Sequence, residues 1–235
     1  MPRPGRAALA LLLLASLAGA CSDAAFDFDE AAMVDPGTSQ VTADPGQLRV
    51  LRYHDDPTAG DDWTTVLAPE PAVMTATGAF REAGSRTADD DEPADVRLLY
   101  EAVAPGRTLL VQVDCRGCDD RVGVPETDVE DTGIHVWDLL VGEGGELLLS
   151  GAAATAGEEH ETTLGEHVVV VREPDALREL GPLDEEVLVH VARHVPDPGA
   201  NLLVDVFAAV GEGGATITYG NGTGDEYPVL VVGDR

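Results

Sequence analysis

The chain has 235 residues, with 14 basic against 44 acidic side chains and a formal charge of −30. All of the basic residues are Arg. This balance excludes nucleic acid as a partner, because neutralising phosphates takes clustered Lys and Arg, and it excludes adhesion to anionic lipid by charge.

Arg3 and Arg6 precede the apolar run Ala7–Ala18, broken only by Ser16. Such a run falls short of the roughly 20 residues a spanning helix needs, so residues 1–20 read as a signal peptide. The run closes on Leu17-Ala-Gly-Ala-Cys21. This resembles the lipobox of bacterial lipoproteins, which implies cleavage before Cys21 and acylation (palmitate) of its thiol. Membrane association then comes through acyl chains on Cys21, at the extracytoplasmic face of the cell membrane. Residues 21–46, rich in Asp, Ala, Pro and Gly, read as a tether.

Three cysteines are present, and an odd thiol in an exported chain needs an explanation. With Cys21 lipidated, Cys115 and Cys118 remain as a pair where disulfides persist. A redox pair would sit at a helix N-terminus, which lowers the thiol pKa; this pair follows a strand and precedes Asp119-Asp120. A zinc site would need further ligands. A local structural disulfide is the favoured reading of the pair.

Residues 47–142 read as a first β domain. Gln47–Tyr53 is a strand; Asp55–Asp62 is a turn-rich loop closed by Trp63; Val66–Leu67 and Ala72–Thr77 are short strands. A polar loop, Ala83–Ala94, carries the acids Asp89–Glu92, and Val96–Val113 and Ile134–Val141 finish the unit. No helical period is present. Tyr100–Gln112 aligns without a gap with Phe207–Tyr219: an aromatic, then Ala102 or Ala209, then a Gly turn at Gly106 or Gly213. Each copy reads as a β-hairpin with one buried face, followed by a closing strand, Ile134–Val141 or Tyr227–Val232. The repeat implies two related domains in tandem.

Residues 143–160 read as a linker, with a short strand at Glu146–Ser150, and 161–235 as the second domain. The valines Val168–Val171 predict a strand buried on both faces. Pro174–Leu180 reads as a short helical stretch, and Val187–Val195 alternates as a strand. His190 and His194 lie at even spacing, which puts both on one face. They either bind a transition metal with a carboxylate from elsewhere or line a solvent face, and the second is expected.

The loop Asp56-Pro57-Thr58-Ala59-Gly60-Asp-Asp-Trp63 has the spacing of the Asn-Pro-Thr-Thr-Gly-Tyr-x-Trp loop of the chagasin-type cysteine-peptidase inhibitors, and the Tyr100-x-Ala102…Gly106 segment falls where that family places it. Short strands with turn signals suggest an antiparallel sandwich, the resemblance implies that it is Ig-like, and with the repeat the expected fold is all-β, two tandem Ig-like antiparallel sandwiches. The resemblance also implies a partner-binding loop at Asp56, Pro57, Thr58, Ala59, Gly60 and Trp63, Trp63 otherwise packing the core. Asp56, Ala59 and Asp61 replace the family's Asn, Thr and Tyr, and Cys115-Arg-Gly-Cys118 replaces its Arg-Pro-Trp.

No Gly-x-Ser-x-Gly elbow, His-Glu-x-x-His or phosphate-cradling Gly loop is present, so no catalytic residue, cofactor or metal is expected. With the loops clustered as the resemblance implies, Asp55, Asp56, Asp61, Asp62 and Asp89–Glu92 would crowd one end of the first domain, and burying unpaired carboxylates in an apolar cleft is costly. The reading is therefore a monomeric, non-catalytic binding or envelope-structural module with an unknown protein partner. The alternative is an inhibitor of papain-like cysteine peptidases.

Overall fold

The computed structural model of the chain describes residues 33–34, 38–56, 63–83, 94–114, 133–149, 151, 153–172, 179–194, 202–220 and 225–233. Among these, every regular element is a strand, as the absence of a helical period predicts. The first half holds β1 (Gln40–Ala43), β2 (Leu48–Asp55), β3 (Trp63–Leu67), β4 (Met74–Ala83), β5 (Ala94–Ala102), β6 (Gly106–Asp114) and β7 (Gly133–Val141). The second holds β8 (Ala153–Ala154), β9 (His160–Thr163), β10 (His167–Arg172), β11 (Leu188–His194), β12 (Leu203–Ala209), β13 (Gly213–Thr218) and β14 (Glu226–Val232).

These strands form four sheets: sheet 1, ordered β2-β5-β4; sheet 2, β1-β7-β6-β3; sheet 3, β11-β12-β10-β8; and sheet 4, β13-β14-β9. One apolar cluster, with Leu51, Tyr100, Leu110, Trp137 and Leu139, lies between sheets 1 and 2. Another, with Val168, Phe207, Ile217 and Val229, lies between sheets 3 and 4. A third fills the space between sheets 2 and 3: Leu109, Val111 and Val136 on one side, Val169, Val191, Val204 and Val206 on the other. The sheets therefore stack in the order 1-2-3-4, and residues Ala32–Arg235 make one compact unit. The inner sheets are covered on both faces, which is why β12 is buried at every position and why Val168, Val169 and Val170 are wholly buried, as the unbroken valine run predicts.

The sequence repeat is real, but neither copy is a hairpin. β5 pairs with β2 and β4, and β6 with β3 and β7; β12 pairs with β10 and β11, and β13 with β14. Within each copy the Gly turn carries the chain from one sheet to the facing one. Local alternation shows that both strands bury one face, and two strands meeting across a core satisfy that as well as two strands side by side. The hydrogen bonds around the turn repeat in detail. Gly46 donates to Ala102 O (2.7 Å) and Ala102 to Gln47 O (2.9 Å); Gly165 donates to Ala209 O (2.9 Å) and Ala209 to Glu166 O (2.9 Å). Val103 donates to Val73 O and Val210 to Val187 O, at 2.8 and 2.9 Å. In this frame β1, β2, β4, β5, β6 and β7 correspond to β9, β10, β11, β12, β13 and β14. The parallel pairing of β1 with β7 recurs as β9 with β14.

Several strands lie where the sequence predicts none. β1 falls inside the stretch that reads as a tether, and Met33 bridges Val50; only alternate residues of β1 are buried, so its sequence carries little apolar signal. β8 and the start of β9 fall at the segment that reads as a linker. Among the described residues of Glu146–Ser150, Leu147 alone forms a β-bridge, an isolated one to Arg107. Most of Pro174–Leu180 lies outside the described residues.

Candidate functional site

In the first half, β2, β4 and β6 end at Asp55, Ala83 and Asp114, and β3, β5 and β7 begin at Trp63, Ala94 and Gly133. The strand registers put these points at one end: Asp55 opposite Ala94, Ala83 opposite Ala94, Trp63 opposite Asp114, and Asp114 opposite Gly133. The crossing at 103–105 joins the finish of β5 to the start of β6, so the start of β5 at Ala94 and the finish of β6 at Asp114 lie together at the other end.

Of the candidate loop, Asp56 and Trp63 are described; Pro57, Thr58, Ala59 and Gly60 lie outside the described residues, as do Cys21, Cys115 and Cys118. Trp63 opens β3 and is part-buried, and its ring stacks on His135 at 4.5 Å between centroids and tilts against Tyr53 at 5.5 Å. His135 stacks in turn on Trp137 at 5.3 Å. Gly133 allows this packing, because a Cβ there would come within 3.2 Å of both Asp114 Cβ and the Trp63 ring. Burial pushes the His135 imidazole below its ordinary pKa, and nearby His194 adds to that against the pull of Asp114. It pushes the Tyr53 hydroxyl up, with the Asp55 charge adding to it, and Tyr100 is pushed up to about 12 by burial and then by Tyr53. Gln112, opposite His135 in the ladder, donates to Thr65 Oγ1 at 3.2 Å. The end of the half is thus floored by neutral aromatic and amide groups. Sequence reading finds Trp63 but not Tyr53, His135 or Gln112, which only strand register brings to it.

The expected crowd of free carboxylates is smaller than the sequence suggests. Asp55 is buried and paired with Arg81, which faces it from β4. Alternation gives Asp55 no partner because Arg81 lies across a neighbouring sheet strand.

A second polar centre lies in the other half. Asp205, with no exposed surface, accepts from Arg193 Nε (2.7 Å) and Nη2 (3.1 Å), from Tyr219 Oη (2.9 Å), and lies 2.9 Å from His190 Nε2. The Arg172 guanidinium lies 4.0 Å above the Tyr219 ring. Burial alone would raise the Asp205 carboxyl, but the hydrogen bonds from His190 and Arg193 and the Arg193 charge outweigh it and hold it below the ordinary carboxylate range. The same surroundings push the Tyr219 hydroxyl far up, through burial first and then the Asp205 charge. All of Asp205's acceptor capacity is used inside the fold, so this centre ties β11, β12 and sheet 4 together.

His190 and His194 do not share a face. A β-bulge between His190 and Ala192 shifts the register of β11 against β12. His190 therefore turns to Asp205 and Phe207, whereas His194 turns to the first half and lines a small cavity with Ser39, Gln40, Val136 and Asp138. Even spacing puts two residues on one face only in a regular strand. Among the described residues, no group of His, Cys, Asp and Glu is arranged to hold a metal ion. The same bulge sits in β4 between Ala76 and Gly78, at the corresponding position.

No family model matches the chain, and no curated protein matches it. Similar solved structures include amebosin in solution, at 14% identity and a TM-score of 0.34, spanning 47% of this chain and 94% of that one. A cysteine protease inhibitor from Entamoeba histolytica is similar at 10% identity and a TM-score of 0.32, over 43% of this chain and 85% of its own. Lac15 from a marine microbial metagenome follows at 13% identity and a TM-score of 0.26, over 85% and 59%.

Proposed function

We propose that the protein is a lipid-anchored, extracytoplasmic, non-catalytic binding module that takes a protein partner at the β2–β3 end of its first half. One observation carries the reading: the strand ends that the connections after Asp56, Ala83 and Asp114 join in sequence lie together at a single end whose floor is the packed group Tyr53, Trp63, His135 and Trp137. Binding function concentrates in such connections on a rigid scaffold. The order of Asp56 and Trp63 across this end supports a second reading, an inhibitor that wedges the intervening loop into a papain-like cleft. Anchoring rests on Cys21: a Cys21→Ala chain should accumulate unprocessed or be released from membranes.

The deciding experiment titrates the protein against several papain-like cysteine peptidases at moderate salt, beside capture of partners from envelope extract. The expected result is no tight inhibition, because the residual carboxylates at this end oppose entry into an apolar cleft, together with a captured partner whose binding is lost in Trp63→Ala. Tight inhibition abolished by Thr58→Ala or Trp63→Ala would make the inhibitor reading the correct one.

A further inference from the structure

Of the strands of the first half, β3 alone has no counterpart in the second. In sheet 2 it closes the β6 edge, pairing along Val111–Asp114. Farther along that edge Arg107 bridges Leu147, and its carbonyl accepts from Leu148 N at 2.8 Å. Sheet 4 ends instead at β13, the counterpart of β6. What stands in the place of β3 is a stub: Leu180 bridges Tyr219, Gly181 N donates to Thr218 O, and Gly220 N donates to Glu179 O, both at 2.8 Å. Pro182 then stops it, because proline has no N–H to give to a ladder.

Those two bonds fix which way the β13 backbone points. Thr218 and Gly220 turn polar groups away from β14, so by alternation Gly214 and Thr216 do the same. Thr216 stands opposite Pro228, which has no N–H, as a non-hydrogen-bonded pair allows. Gly214 and Thr216 are exposed, and no hydrogen bond among the described residues reaches their edge-facing N–H and C=O groups. The strand carries none of the devices that guard an edge: Gly213–Thr218 has no charge, no proline and no bulge. Its surroundings are acidic. Asp184, Glu185, Glu186 and Glu212 lie by the Gly213 end, and Glu179 and Glu226 by the Thr218 end, all exposed. Arg172 and Arg193, the arginines of this half among the described residues, are engaged at Tyr219 and Asp205.

We propose that the free edge of β13 takes an extended, basic segment of a protein partner, which adds to sheet 4 as β3 adds to sheet 2. The backbone of Gly214 and Thr216 supplies the hydrogen bonds, in the strand-addition mode of peptide recognition. The acids at both ends select Lys and Arg side chains and make the contact sensitive to salt. A second copy of the chain would bring the same acids to the edge, so like charge disfavours it as the occupant. This edge belongs to the second half and does not depend on the partner site at the β2–β3 end of the first.

The test is amide hydrogen exchange of the full chain in non-ionic detergent, with and without a short peptide of alternating Arg and Thr. Exchange at Gly214 and Thr216 should slow by about tenfold or more at saturating peptide, and binding should weaken as salt is raised. The same peptide N-methylated at alternate residues along its bonding edge keeps its charge but loses its donors, and should protect neither amide. Thr216→Pro removes an N–H that the β14 ladder does not use, and should weaken peptide binding about tenfold while keeping the β circular dichroism spectrum. If that chain does not fold, the methylated peptide decides. Equal protection by the methylated peptide, protection confined to other strands, or unchanged affinity in a folded Thr216→Pro chain would overturn the proposal. So would a dimer in which Gly214 and Thr216 are protected before any peptide is added.

Discussion

Two copies of one strand plan carry opposite solutions at matching positions. Along β12 and the residue before it, the face toward the first half is Leu202, Val204, Val206 and Ala208, all buried; the matching residues on β5 are Asp95, Arg97, Leu99 and Glu101, which face away from the core between sheets 1 and 2 and of which only Leu99 is buried. On β6 and β7 the face toward the second half includes Leu109, Val111 and Val136; the matching residues on β13 and β14 are Thr216, Thr218 and Glu226. The interiors differ in the reverse sense. Where the second half buries Asp205 under His190, Arg193 and Tyr219, the first has Leu98 with Ala76, Ala79 and Gln112. A duplicated sheet keeps its hydrogen-bond plan, and covering or uncovering a face decides its chemistry.

The largest effect should come from giving the covered copy the residue of the uncovered one. Val204→Arg places a guanidinium in the wholly buried core between sheets 2 and 3, at a cost of about 4 kcal/mol or more. Because that core is shared, denaturant unfolding of the natural chain should be one transition reported alike by Trp63 and Trp137 fluorescence and by circular dichroism. Two separable transitions, or a Val204→Arg chain close to its parent in midpoint, would break the comparison.

Next comes the buried carboxylate. Asp205→Ala leaves Arg193, His190 and Tyr219 facing an empty acceptor site, and should cost about 3–5 kcal/mol. The folded carboxyl is held below its unfolded value, so its contribution is complete above the ordinary carboxyl range and is lost as pH falls through the folded value. Stability measured on acidification should therefore fall less steeply in Asp205→Ala than in the natural chain. Parallel slopes would remove Asp205 from the account.

The glycine common to both turns offers a finer contrast. A Cβ on Gly106 would sit 2.8 Å from Val73 Cγ2, whereas Gly213 has φ +142° and its nearest neighbour, Val187 Cγ2, at 3.4 Å. Gly106→Ala should cost about 1–3 kcal/mol by overpacking, and Val73→Ala in the same chain should recover part of it. Gly213→Ala should cost about 1 kcal/mol through its backbone, with no recovery from Val187→Ala. Double-mutant cycles read the difference; equal coupling at both sites would show a single cause.

How much of this is legible in the sequence follows from which signals are local. The all-β class, the repeat and the valine strand are written in alternation and in the Tyr100-x-Ala102…Gly106 pattern. Pairing is not, so a sheet-to-sheet crossing reads as a hairpin. A bulge adds one residue without changing composition, so counting does not separate His190 from His194. Asp205 looks like any other acid in a chain with 44 of them, and its role depends on β11 and β13 reaching it. At the candidate site, Trp63 is found through its motif spacing, while its neighbours Tyr53 and His135 are brought there only by the folded sheets.

The smallest effect is the reciprocal of the largest. Arg97 and Val204 occupy matching positions, but Arg97 is only part-buried, so Arg97→Val takes no charge out of a wholly buried core. Its stability should stay within about 0.5 kcal/mol of the parent, whereas Val204→Arg loses several. What Arg97→Val should change is solubility, because the substituted side chain would stand beside the exposed ring of Phe80 and enlarge an apolar patch. Light scattering against concentration, beside denaturant melts of both variants, reads the two effects separately. An Arg97→Val chain destabilised by about 2 kcal/mol would mean that the outer face of sheet 1 is held by that arginine, and that cover alone does not explain why the copies diverged.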